Sequence, residues 1–329
     1  ARLWPAGGQR SAAFALLAAL LVFAEHLSAP LDLTPLPPAA RLPAVYAWLG
    51  QQADVRVVAE VPAARYLMER FDAAPMYHST VHWKRTAQGF TGYFPPSYNF
   101  LRWRLFHFPA PETLEFLARF GVDTVVVGPS ALSLPLPEAG PGQARVAASF
   151  GEGHRVLRLA AAPAPAFAEP PPPGPGWREV PRIGWAARSS SPGAERAIDG
   201  RLDTAWSTEL PQARGNFFRV VFPRPVTVTR LRLAVAEPFV FPTDLRVLGE
   251  PEQGEPVELA VDERAAYDGL FALLLRRPRE AALVLDLLEP RPLRGVRLRV
   301  ASTDPFAMPW DLAELTAWER PADGPAAPR

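Results

Sequence analysis

Two histidines four residues apart, His78 and His82, sit in an aromatic stretch of this 329-residue chain, MYHSTVHWKRTAQGFTGYFPP over residues 76–96. An i, i+4 histidine pair can share a metal ion when it rides on a helix. Residues 76–83 read instead as a strand, where such a pair shares a face but stands ~13 Å apart at ~3.3 Å per residue, so zinc is not expected. With no cysteine in the chain, thiolate metal sites, disulfides and cysteine nucleophiles are excluded together. No GxSxG, glycine-rich phosphate loop or HExxH occurs. The 34 acidic residues cannot be sorted into a glycosidase pair without geometry. A second segment that could do chemistry is AIDGRLDTAWST over residues 197–208, where an Asp-Gly pair suits either a tight turn closed by its own carboxylate or a loop of converging oxygens.

Charge narrows the partners. Lys and Arg number 35 against 34 Asp and Glu, a net +1, so no global field gathers nucleic acid. Hydrophobic content of 48% with 21% charged is globular composition, and 40 prolines disfavour long helices.

The elements that must position these residues fall into blocks. The chain begins at Ala1 and not at Met, as expected of a piece of a longer protein. Residues 12–24, AAFALLAALLVFA, form an uninterrupted apolar run that suits a membrane helix, with a signal peptide or a buried core helix as alternatives. Arg2 and Arg10 before the run, with Glu25 and Asp32 after it, place everything beyond about residue 29 outside the cytoplasm. A proline-rich tether covers residues 30–43. Residues 44–160 read as a small α/β domain: helix 44–51, strand 55–61, helix 63–71, strand 76–83, helix 112–120 and strands 122–127, 145–150 and 154–159. A second proline-rich linker, residues 161–176, precedes an all-β region over 177–320 and a tail at 321–329. Strands there are expected at 217–222, 226–236, 245–249, 257–261, 270–275, 281–287, 295–301 and 312–320. The fold class is therefore multi-domain: an N-terminal membrane helix, a small α/β domain and an all-β sandwich.

The AIDG segment with Thr204 and Trp206, followed by PVTVTRLRL (225–233), PTDLRV (242–247) and LAELTAW (312–318), resembles discoidin, or coagulation factor 5/8 C-type, domains over about residues 177–320. That resemblance implies a galactose-binding-like jelly roll. It also implies a structural calcium held by Asp199, the Arg201 carbonyl, Thr204 and Glu314, against the simpler reading of an Asx-turn onto Gly200. A sugar platform on the loops at one end would use Arg214, Asn216, Phe239, Phe241, Trp310 and Asp311, while Trp206, Trp310 and Trp318 also suit core packing.

Residues 12–160, with VVAEVP before the aromatic stretch and LARFGVDTVVV after it, are similar in order and spacing to the C-terminal extracytoplasmic region of bacterial GT-C membrane glycosyltransferases related to the protein mannosyltransferases. This implies a parent enzyme using a polyprenyl-phosphate-linked sugar, its catalytic carboxylate lying outside this chain. Tyr77, His82, Trp83, Lys84, Arg85 and Tyr93 would then face the membrane-proximal donor or acceptor, unless the segment is a packed loop. The expected protein is thus the membrane-attached, extracytoplasmic part of a bacterial glycosyltransferase with an accessory glycan- or partner-binding sandwich. A secreted or anchored carbohydrate-binding protein and an envelope docking scaffold are the alternatives.

Overall fold

The computed structural model describes residues 8–26, 37–63, 73–89, 95–131, 144–160, 167–237, 240–303 and 308–319. The chain divides into two units, Ala1–Leu42 and Pro43–Arg329. In the first, helix α1 (Gly8–His26) carries exposed apolar side chains, among them Phe14, Leu17 and Leu21. It corrects the expected membrane span. Among the described residues no helix is long and apolar enough to cross a bilayer. The apolar run ends at Glu25 after only thirteen residues, ~20 Å at ~1.5 Å per residue against a ~30 Å hydrocarbon core.

The second unit holds everything else. Its first half has a five-stranded sheet in the order β2-β1-β3-β5-β4. Strands β1 (Val57–Val61), β2 (Arg85–Thr86) and β3 (Thr124–Val127) run parallel, and β4 (Ala144–Ser149) and β5 (Arg155–Leu159) close the edge antiparallel. Helix α2 is Ala44–Gln51, as expected, and α3 is Ala74–His82. The second replaces the strand expected at 76–83. Pro75 sits in its first turn, and Ser79 and Thr80 donate to the carbonyls of Met76 and Tyr77, so their hydroxyls are satisfied inside the helix. The helix expected at 63–71 lies mostly outside the described residues.

Helices α4 (Pro96–Phe106) and α5 (Pro111–Phe120) follow. The second buries Thr113, Leu114, Phe116 and Leu117 along one stripe and stops at Gly121, whose φ of +96° suits a residue without Cβ. By contrast, α4 buries Tyr98 through Trp103 without a break, and so has no polar face to betray it in sequence.

The second half is a sandwich built on two long bent strands, β9 (Phe217–Ala234, 18 residues) and β12 (Ala282–Val300, 19 residues). Their outer segments pair 217–221 with 295–299, flanked by β7 (Ala186–Ser189) on one side and β10 (Leu245–Glu250) and β11 (Val257–Glu258) on the other. Their remaining segments pair 226–234 with 282–293, flanked by β14 (Glu314–Glu319) and β6 (Arg178–Glu179). Register shifts at 286–291 and 293–295 mark the corner where one layer passes to the other. A short pair, β8 (Trp206–Ser207) with β13 (Asp311–Leu312), lies apart. Phe218, Val220, Phe222, Leu231 and Leu233 alternate into one continuous core. The strands expected at 217–222 and 226–236, and at 281–287 and 295–301, are thus two continuous strands. The one expected at 270–275 is instead part of helix α6 (Glu263–Arg276), capped by the Asp262 carboxylate accepting from Ala265 N at 2.9 Å.

Candidate functional site

The two halves meet through an aromatic seam. Phe271 of α6 lies 4.9–5.6 Å, centroid to centroid, from Phe100, Phe116 and Phe120 of α4 and α5, and 4.7 Å from Phe167 of the proline-rich segment. Phe241, from the loop before β10, packs 5.4 and 5.6 Å from Phe100 and Trp103. Gln212, buried between these loops, donates to the Phe241 carbonyl and accepts from Thr243 N, fixing that loop. The expected proline-rich linker is docked along its described part: Phe167 is buried, Arg276 donates to its carbonyl, and an added Cβ at Gly269 of α6 would stand 2.9 Å from Pro170.

At this seam the chain leaves a cavity of about 710 Å³. Its walls are α4 and α5 (Trp103, Arg104, His107, Glu112, Glu115, Arg119), α6 (Glu263, Arg264, Tyr267, Asp268) and the sandwich loops at Asp244, Ser302 and Thr303. The volume suits a small organic ligand, and donors and acceptors line it over an aromatic floor. Two ion pairs tie its sides together: Arg119 donates to Asp268 at 2.6 Å, and Arg264 pairs with Glu115. Burial pulls the Arg104 guanidinium below its ordinary pKa, and burial pushes the Glu263 carboxyl above its own, with Arg246 opposing it and Asp244 and Glu258 adding to it.

The residues expected to form a sugar platform are placed as follows. Arg214 is exposed, its backbone N–H donating to Thr303 Oγ1 on the cavity wall. Asn216 is used internally: its Oδ1 accepts from Ala213 N and its amide donates to Ser190 Oγ. Phe241 and Trp310 are corrections, because both are buried, the first against α4 and the second edge-on to Trp206 at 4.9 Å. Asp311 accepts from Ser207 at 2.5 Å, and burial pushes its carboxyl up. Phe239 lies outside the described residues. Sequence offered no sign of Arg104, Glu112, Tyr267 or Asp268, since the positions that meet here are some 150 residues apart.

The Asp-Gly corner brings Asp199 and Glu314 together as the resemblance implied, with a cation already between strand and loop. Arg182 Nε donates to Glu314 Oε1 at 2.6 Å, while its other nitrogens reach Glu179 and Thr316. Gly200 N, at φ +81°, donates to Glu314 Oε2 at 3.0 Å. Both Asp199 oxygens are occupied too, accepting from Arg201 N and from Thr204 Oγ1. Calcium takes six to eight oxygens, whereas here the Arg182 guanidinium already supplies the positive charge beside Glu314. Among the described residues no cluster of three His, Asp or Glu side chains is arranged to hold a metal.

The aromatic segment divides. Trp83, at the end of α3 with φ 56°, is 85% exposed, and Arg85 is exposed as well. Tyr77 is half-buried, Lys84 donates to the Gln52 carbonyl, and Tyr93 lies outside the described residues. His82 corrects its expected surface role: it is buried, its Nδ1 accepting from Lys84 N. Helix α3 does put His78 and His82 on one side, both stacked on Tyr46. Yet His78 Nδ1 lies 2.9 Å from Glu60, which also accepts from Tyr46 OH, so the pair is committed to packing. Burial raises the Tyr46 hydroxyl well above its ordinary pKa, helped by the charge of Glu60.

No family model and no curated protein matches the chain. Solved structures do. The family 32 carbohydrate-binding module of Clostridium perfringens NanJ, determined with galactose, is 15% identical, covering 44% of this chain and 99% of its own, with a TM-score of 0.34. An F5/8 type C domain from Bacteroides fragilis is 19% identical over 45% of this chain and 99% of its own, TM-score 0.32. The fifth such module of a Clostridium perfringens family 89 protein, solved with GalNAc-β-1,3-galactose, is 12% identical over 43% and 99%, TM-score 0.32. The β-sandwich itself rests on the strand pairing of this chain.

Proposed function

We propose that this chain is a glycan-binding protein that receives a saccharide in the seam cavity between α4, α5, α6 and the sandwich loops. One observation carries the reading: hydroxyl acceptors and donors from both halves converge on a sugar-sized, water-accessible space at the loop end of the sandwich. The similar solved structures include modules determined with galactose and with GalNAc-β-1,3-galactose, the same class of ligand as the one proposed here. Screening the full chain on a glycan array should give discrete binders. Ser302→Trp, on an exposed loop at the cavity wall, should abolish that binding without lowering Tm. Binding unchanged by Ser302→Trp would overturn the siting.

The similarity in sequence order and spacing over residues 12–160 motivates a further part of this proposal, an accessory role beside an extracytoplasmic transferase that uses a polyprenyl-phosphate sugar. The isolated chain is then expected to turn over no such donor, and turnover would overturn the accessory role.

A further inference from the structure

Arg104 differs from the other arginines of the seam cavity. Arg119 and Arg264 are each bonded to a carboxylate, Asp268 and Glu115. Arg104 has neither an ion pair nor a hydrogen bond to its guanidinium among the described residues, and its Nε is fully buried without a partner. Its faces are well held: the guanidinium carbon stands 4.3 Å from the Trp103 ring centre, 5.4 Å from Phe100, 5.7 Å from Phe116 and 5.9 Å from Tyr267. An aromatic box satisfies the faces of a guanidinium and leaves the N–H edge unsatisfied. Buried polar groups are nearly always hydrogen-bonded, and a buried cation without a counter-charge is the costlier exception.

The charges around it do not supply the missing partner. The carboxylates whose fields reach Arg104 are Asp268 and Glu112, with Arg119 opposing them. Asp268 is already taken by Arg119. Glu112 is exposed in the first turn of α5, where the helix dipole favours a negative charge. Asp244 and Glu263 interact with Arg246 instead.

We infer that the cavity selects a saccharide carrying a carboxylate, a uronic-acid type of sugar, whose two oxygens dock on the Arg104 guanidinium where it lines the cavity. A planar carboxylate matches the guanidinium fork with two parallel hydrogen bonds, a geometry that a hydroxyl cannot reproduce. The remaining carboxylates of the cavity are then left to accept from the sugar hydroxyls. This inference rests on the cavity being the glycan site proposed above.

The test is calorimetric titration of the full chain with D-galacturonate, its methyl ester and D-galactose. Galacturonate should bind at least about tenfold more tightly than the other two, a preference worth ~1.4 kcal/mol. Arg104→Gln should erase the preference, and Arg104→Lys, which keeps the charge but not the fork, should retain only part of it. Equal binding of all three sugars, unaffected by Arg104→Gln, would overturn the inference and leave the glycan reading standing. Binding of none of them, together with an empty glycan array, would overturn both. A galactose 6-sulfate arm distinguishes the anions: preference for sulfate over galacturonate would contradict the planar fork.

Discussion

The seam cavity and the Gly200 corner each centre on one arginine, and they use it in opposite ways. At the corner Arg182 is spent within the fold, its Nε on Glu314 while Gly200 occupies the second carboxylate oxygen. At the seam Arg104 is held by ring faces alone and its polar edge is left open. The first arrangement stabilises the fold and matches the carboxylate's charge from within the chain. The second leaves the guanidinium without a carboxylate of its own on the wall of a cavity. Within one chain, an arginine's role is thus set by whether the fold has already given it a carboxylate.

Removing the seam's central ring should have the largest effect. Phe271→Ala takes away a fully buried ring that touches four others, and about 3–5 kcal/mol of stability should go with it in denaturant unfolding. A loss under about 1 kcal/mol would mean that the halves are not energetically joined there.

Arg182→Ala should come next, stranding the buried Glu314 carboxylate. Burial already pushes that carboxyl above its ordinary pKa, against the pull of Arg182. We expect a cost of about 2–3 kcal/mol, less than for a fully buried pair because Arg182 is partly solvated. The same experiment sharpens the comparison. Wild-type Tm should be indifferent to calcium or chelator, and a calcium-dependent rise would show that Arg182 yields its place to the ion.

The smallest effect should come from acid, and from neither arginine. Burial holds the His82 and His154 imidazoles below their ordinary pKa, opposed by Glu60 and, for His154, Glu152, and assisted by His78 and, for His82, Lys84. The folded chain therefore takes up protons on them less readily than the unfolded chain, which does so around pH 6.5, so their contribution is present above that pH and declines on acidification. The raised carboxyls of Glu314, Asp311 and Glu263 act in the opposite sense, favouring the fold as they take up protons. Tm should fall between pH 7.5 and 5.5, and the double variant His82→Gln/His154→Gln should flatten that slope. An unchanged slope in the variant would assign it to other groups.

The sequence made some of this plain. Helix α5 was legible because Leu114 and Leu117 share a stripe, Pro111 opens it and Gly121 closes it. Strands β3 to β5 and β10 were legible from short apolar runs with turns between them. Helix α4 was not, because it is buried on every side. Helix α6 was misread because the run at 270–275 looks the same in either state, although Asp262 and the spacing of Ala266, Leu270, Phe271 and Leu274 carried the helical signal. The corner was half legible: the loop and Glu314 do meet, but Arg182 lies 132 positions away and nothing local announces it. The cavity was illegible for the same reason, since its walls are paired only by tertiary packing.

The docked proline segment bears on how such a chain can be cut and reused. By composition, residues 161–176 look like a boundary at which a sandwich cassette could be lifted out and fused elsewhere. Yet Phe167 and Pro170 lie on α6, and α6 also buries Tyr267 and Phe271 against helices from the other side of that boundary. A fragment starting at Trp177 would carry those rings to the surface as one contiguous apolar patch, the kind that drives self-association. It would also lose Trp103 and Arg104, and with them one wall of the cavity. Grafting the sandwich into a new host therefore means carrying α4 and α5 along with it, so the transferable module begins some eighty residues before the composition says it does.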